Sequence, residues 1–152
     1  MKAILLASDH AGFNLKEQLK NYLLKTGRKA KDLGTYCSAR CDYPNTAAKL
    51  AAEISKGKSS QGVLVCKSGI GNSIVANKFR GVRAALCYNV RAARLSREHN
   101  DSNVLVLGSG FVNAALAKRI LKVWLDSKFS GGRHQRRLNQ IRKIENQVLR
   151  RK

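Results

Sequence analysis

Short, almost unbroken apolar runs recur along the chain at Ile4–Ala7, Gly62–Cys66, Val82–Cys87 and Val104–Gly108, each separated from the next by a longer amphipathic stretch. Strands this apolar leave no face for water, the pattern of a parallel sheet covered on both sides. A weaker run at Lys29–Leu33, bracketed by Gly27 and Gly34, supplies a fifth strand. Between the runs the apolar residues switch to helical spacing, as in Leu15, Leu19, Tyr22 and Leu23, and in Ala47, Leu50, Ala51 and Ile54 after Pro44. Further helices are predicted over Ile74–Lys78, Val90–Glu98 and Ala114–Leu125. Strands alternating with helices, joined by right-handed crossovers, form a doubly wound sheet with its ligand crevice at the carboxyl ends of the strands. The expectation is one α/β domain over residues 1–152: a doubly wound, Rossmann-like fold with a five-stranded parallel sheet and a C-terminal helix.

That last helix, from about Gln135 to Leu149, follows Gly131-Gly132 and carries Leu138, Ile141, Ile144, Val148 and Leu149 as one apolar stripe. It packs either on a second subunit or on its own sheet, and the terminal Arg150-Arg151-Lys152 is expected to fray. No apolar run approaches the roughly 20 residues that cross a bilayer, so a cytoplasmic protein is expected. Cys66 and Cys87 end apolar runs while Cys37 and Cys41 sit in a polar loop, with no C-x-x-C pair, which reads as free thiols. His10, His99 and His134 are scattered singly, so no metal site is expected.

The formal charge of +21, from 30 basic and 9 acidic residues, would draw any polyanion non-specifically and makes nucleic acid a rival partner. Against a dedicated nucleic-acid function, the cations are spread along the whole chain with no interleaved stripe of aromatics to stack on bases.

Candidate chemistry falls at the ends of the strands. Ser8-Asp9-His10 follows the first, Cys66-Lys67-Ser68 follows the third, and His99-Asn100-Asp101 precedes the fifth; these are expected to meet at one sheet edge. In Cys66-Lys67-Ser68-Gly69-Ile70-Gly71-Asn72-Ser73 a strand runs into a glycine-punctuated turn that opens a helix. Glycines let successive N–H groups turn inward as an anion nest, and a helix amino terminus with a neighbouring lysine lowers a thiol's pKa. Cys66 is thus either a reactive thiol or a cysteine that merely packs. Arg133, Arg136 and Arg137 stand just after Gly131-Gly132; their forks match phosphate oxygens, although the same residues also read as a solvated basic face.

In order, Ser8-Asp-His-Ala-Gly-Phe13, Asp42-Tyr-Pro44, Cys66 with Ser68-Gly-Ile-Gly71, Ala76-Asn-Lys-Phe79, Leu95-Ser-Arg-Glu-His-Asn-Asp101 and Gly131-Gly-Arg-His-Gln135 resemble the ribose-5-phosphate isomerase B and galactose-6-phosphate isomerase family over nearly the whole chain. The resemblance implies interconversion of ribose 5-phosphate and ribulose 5-phosphate through a cis-enediolate, with no metal or cofactor. It also implies a homodimer, or a tetramer, with sites between subunits. Cys66 would move the proton between C1 and C2, while Ser68 and the N–H groups of Gly69, Ile70, Gly71 and Asn72 hold the enediolate oxygens. His99 and Asp9 would open the sugar ring, which Asn100 and Tyr43 position. Arg133 and Arg137 would grip the phosphate, assisted by His10 or His134. A cysteine base points to ribose 5-phosphate over galactose 6-phosphate.

Three positions depart from the family pattern: Lys67 for a usual glycine, Thr46 where an aromatic is common, and Gly110 where some members carry a phosphate-binding arginine. Lys67 or another cation is expected to replace that charge, and Lys67 either depresses the pKa of Cys66 or obstructs the sugar. The alternative readings are an isomerase of allose or galactose 6-phosphate, a catalytically weakened sugar-phosphate binder, and a nucleic-acid binder.

Overall fold

The computed structural model describes residues 2–59 and 61–149, so the fraying expected of Arg150-Arg151-Lys152 lies outside the described residues. Five strands and six helices alternate as β1 (Ile4–Ser8), α1 (Phe13–Lys25), β2 (Ala30–Asp32), α2 (Tyr43–Ser55), β3 (Gly62–Cys66), α3 (Ile70–Ala76), β4 (Ala84–Leu86), α4 (Val90–Asn100), β5 (Val104–Gly108), α5 (Ala114–Asp126) and α6 (Arg133–Leu149). The sheet is parallel throughout, in the order β2-β1-β3-β5-β4, as the alternating apolar runs predict. From β1 the chain turns one way to β2 and the other way to β3, so the switch point that opens a crevice lies between β1 and β3.

Alternation along each strand sorts the core onto two faces. Ile4, Leu6, Val63, Val65, Leu105 and Leu107 face α1, α4 and α5, whose Leu19, Ala93, Ile120 and Trp124 are buried against them. Leu5, Ala7, Leu64, Val104 and Val106 face α2 and α3, through Leu50, Ala51, Ile54 and Ala76. Gly12 is required where α1 begins, because a Cβ there would collide with the Val65 carbonyl and lie 3.0 Å from the Cys66 nitrogen. This close approach sets the loop after β1 against the end of β3.

Two elements differ from expectation. The fourth strand pairs over only Ala84–Leu86, because it is the sheet edge and half-exposed. The third crossover helix begins at Ile70, not Ile74, because Gly69 takes a left-handed conformation (φ 83°) that starts the helix directly after the turn. It stops before Lys78: the Asn77 side chain donates to the Ala84 carbonyl at 3.0 Å and accepts from the Ala84 N–H at 2.9 Å, tying the chain to β4.

Helix α6 stands off the body. Ile141, Ile144 and Val148 remain 50–62% exposed, and with Leu138 they wall a cavity of about 690 Å³ against Val82, Ala84 and Ala85 beside β4. No helix among the described residues is long and apolar enough to cross a membrane.

Cys87, 1% exposed in the core under α4, has its thiol pushed up to about 11 by burial. An unfolded thiol ionises near pH 8.5, so above that pH the unfolded chain releases a proton that the folded chain retains. Stability is therefore expected to fall from about pH 8.5 towards pH 11, and Cys87→Val should flatten that decline in thermal melts recorded across the range.

Candidate active site

The carboxyl ends of β1 and β3 bring Asp9 and Cys66 side by side. Cys66 is 4% exposed, and its Sγ accepts the Gly69 N–H at 3.1 Å. Only glycine suits position 69, since a Cβ there would strike Leu86 Cδ1 and lie 3.2 Å from the Leu107 carbonyl carbon. The Ser68 hydroxyl accepts the Ile70 N–H at 3.2 Å, and its carbonyl accepts the Tyr88 hydroxyl at 2.9 Å. Asp9 is buried and accepts the Gly12 N–H at 2.9 Å. The Tyr43 ring rests on Gly71: a Cβ there would lie 2.7 Å from its hydroxyl oxygen. His10 Nδ1 lies 3.2 Å from the Cys41 nitrogen and 3.1 Å from the Cys41 oxygen, which joins it to the 35–42 loop.

That loop has its own support. Asp32 accepts the Gly34 N–H at 2.9 Å and is paired with Lys16 and Lys20, and Lys16, fully buried, also bonds Glu17 at 2.7 Å. Gly34 and Thr35 then exchange backbone bonds with Ser8 at 2.7 and 2.8 Å, extending the sheet's pairing toward the site.

Burial pushes the Cys66 thiol above the ordinary range; the N–H groups of Gly69, Asn72 and Ser68 pull it down, while the Asp9 charge adds to the rise. The depressed pKa expected from a helix start and Lys67 is thus corrected, because desolvation outweighs the backbone dipoles. The Lys67 stem runs across Gly110 instead, its Cε 3.1 Å from where a Cβ at 110 would lie. Thr46 donates to the Tyr43 carbonyl at 3.1 Å within α2.

The expectation that all strand-end motifs share one edge is also corrected. His99, Asn100 and Asp101 precede β5, and in a parallel sheet the start of a strand is the opposite edge. Cys66 pairs with Gly108, whereas Val104 pairs with Gly62 and Ala84. Arg83 donates to the Asn100 and Asp101 carbonyls at 3.0 and 2.9 Å, anchoring them at that amino edge. A five-residue strand at about 3.3 Å per residue separates the two ends by roughly 13 Å.

His134 is with His99 at the amino edge, the rings stacked at 4.2 Å and 9°. Desolvation, then the charges of His99, Arg133 and Arg137, hold His134 below the usual histidine range. Arg133 and Arg137 are exposed, and no salt bridge among the described residues includes either. The candidate residues of one chain therefore fall into two groups. Asp9, His10, Tyr43, Cys66, Ser68 and Gly69–Asn72 lie at the carboxyl edge, and His99, Asn100, Arg133, His134 and Arg137 at the amino edge. Sequence reasoning missed Tyr88, whose hydroxyl holds the Ser68 carbonyl and whose ring lies 5.1 Å from Phe111; an aromatic just past an edge strand carries no local mark of such a role.

Among the described residues no three of His, Cys, Asp and Glu are grouped to hold a metal ion. An enclosed thiol on an N–H-lined turn at the switch point of a doubly wound sheet is the layout of an α/β enzyme acting on a small molecule.

Comparison with known proteins gives the particular kind. The ribose/galactose isomerase family model matches residues 4–141, and the chain belongs to this family of isomerases. It is 45% identical over 145 residues to ribose-5-phosphate isomerase B of Escherichia coli, covering 95% of this chain and 97% of that protein. The Clostridium thermocellum ribose-5-phosphate isomerase B structure matches with a TM-score of 0.94 at 43% identity, over 97% of this chain and 99% of that one. The Mycoplasma genitalium ribose-5-phosphate isomerase B, solved with bound ribulose 5-phosphate, matches with a TM-score of 0.91 at 38% identity, over 95% and 96% of the two chains.

Proposed function

We propose that this isomerase interconverts ribose 5-phosphate and ribulose 5-phosphate, with Cys66 as the base, in a cytoplasmic homodimer whose two sites each draw on both copies. The observation that carries the reading is the Cys66 sulfur enclosed beside a turn of N–H donors, in a chain whose relatives include a protein solved with ribulose 5-phosphate.

The chemistry follows from the positions. The open-chain aldose lies with C1 and C2 over Cys66. The thiolate takes the C2 proton, the C–H electron pair becomes the C1=C2 bond, and the carbonyl pair moves onto O1. Ser68 and the N–H groups of Gly69 to Asn72 stabilise that oxyanion. The hydroxyl proton passes from O2 to O1, and the thiol returns its proton to C1, so atoms and charge balance. Asp9 and His99 assist ring opening, while Tyr43 and Asn100 hold the sugar.

The phosphate goes to Arg133 and Arg137 with His10 or His134. Lys67, lying across Gly110, adds a cation at the rim where residue 110 has none.

A two-fold axis completes both sites at once, setting the His99, His134, Arg133 and Arg137 end of one copy over the Cys66 end of the other. The same arrangement brings cations toward the thiol to oppose its desolvation, and it gives the bare stripe of α6 a surface to cover. Incubating the purified protein with EDTA and ribose 5-phosphate, with allose 6-phosphate in parallel, tests the reading. Ketose from the pentose supports it; ketose from the hexose alone moves the substrate, and conversion of neither sinks it.

A further inference from the structure

Asn72 sits on α3 four residues before Ala76, which is buried against the sheet face covered by α2 and α3. A helix returns to the same face after four residues, so Asn72 turns to that face too, one turn nearer the carboxyl edge. Along β3 the alternation puts Cys66 on the same face as Leu64, which belongs to that cluster. The Asn72 backbone N–H is among the donors that draw the Cys66 thiol's pKa down. Its side chain is fully enclosed at 0% exposure, yet neither Oδ1 nor Nδ2 has a hydrogen-bond partner among the described residues. Buried amides are paired in nearly all native proteins, and a leucine of similar size would fill this place without leaving two polar atoms bare.

We propose that the Asn72 carboxamide is a further catalytic group, its Nδ2–H donating to the enediolate oxyanion and its Oδ1 accepting from the adjacent hydroxyl. The assignment rests on the isomerase reading above. A cis-enediolate presents one oxyanion and one hydroxyl on neighbouring carbons, and a primary amide presents one donor and one acceptor side by side. The N–H groups of the turn supply donors only. The substrate's C1–C2 end has to reach Cys66, itself nearly enclosed, on the sheet face toward which the amide turns. Asn72 makes and breaks no covalent bond; it stabilises the charge that Cys66 creates.

The test is Asn72→Leu, assayed for turnover, thermal stability and ligand affinity. Turnover is expected to fall about 100-fold, the usual cost of losing one preorganised oxyanion donor. KM should change little and Tm should stay level or rise, since a bare buried amide has been replaced by an apolar group of similar size. Affinity for a phosphorylated hydroxamate that mimics the enediolate should fall with kcat, while inhibition by inorganic phosphate is unchanged. Asn72→Ala, which leaves room for a water to stand in, should lose less activity than Asn72→Leu. Wild-type turnover in Asn72→Leu, or an unaltered hydroxamate affinity, overturns the assignment, as does a fall in Tm that tracks the loss of kcat in both variants. A wild-type protein inactive on sugar phosphates removes the isomerase reading separately, and hydroxamate affinity then decides the role of Asn72.

Discussion

Replacing Cys66 with alanine is expected to lower kcat by about 1,000-fold or more, within the range a positioned general base contributes, without unfolding the chain. The sulfur accepts the Gly69 N–H at 3.1 Å, and the turn around it is set by Gly69 and Gly12, whose places no side chain can take. The substitution therefore removes the proposed base and leaves the N–H nest standing. Inhibition by inorganic phosphate should persist, since the arginines assigned to the phosphate are at the other edge of the sheet. Asp9 is the competing candidate, being buried and close enough to raise the thiol's pKa. If Cys66→Ala kept turnover within tenfold of wild type, while Asp9→Asn abolished it, the proton transfer would belong to the carboxylate. The measurement is single-turnover exchange of a C1 proton of ribulose 5-phosphate, an open-chain ketose, with solvent deuterium, which reads the proton transfer without a ring-opening step.

A second large effect is expected when two inactive variants are mixed. Cys66→Ala damages the carboxyl-edge half-site and His99→Asn the amino-edge half-site, and in one chain these stand at opposite ends of β3 and β5. If each site takes Cys66 from one copy and His99 from the other, a hybrid pair holds one site with both residues intact. Random re-pairing of equal amounts makes half of the pairs hybrids, each with one good site of two, so activity should recover to about a quarter of wild type. Both variants alone should stay inactive. A mixture that remains dead after the chains have demonstrably exchanged, shown by mass-tagged subunits, would mean that the site is not shared across copies.

The sheet was legible in the sequence because its signal is local: a continuous run such as Val63-Leu64-Val65 has only one stable environment, covered on both faces. Helices with a clean stripe, such as α5 with Ala117, Ile120, Leu121 and Trp124 inward, were equally plain. The start of α3 was not, because Ile70, Gly71 and Asn72 hold too few apolar residues to show periodicity, and the helix there is set by the left-handed Gly69 instead. The site was half legible. Cys66 and its glycine turn are contiguous in sequence, but the direction of the thiol's pKa depends on how deeply tertiary packing encloses it. The sheet edge on which His99 falls is not carried by its motif, because polar residues cluster at both ends of a parallel strand. A residue before a parallel strand and a residue after one are separated by the length of that strand.

The separation of the two half-sites bears on how activity scales with the amount of protein. If each site draws on both copies, a single newly made chain is inert however well folded, and the concentration of active pairs at low abundance grows with the square of the total chain concentration, by mass action. Below the threshold set by the pairing constant, doubling synthesis would quadruple flux; above it, flux would follow protein one for one. On that reading, dividing the proposed base from the proposed phosphate grip across the length of one strand makes abundance itself an input to the reaction rate.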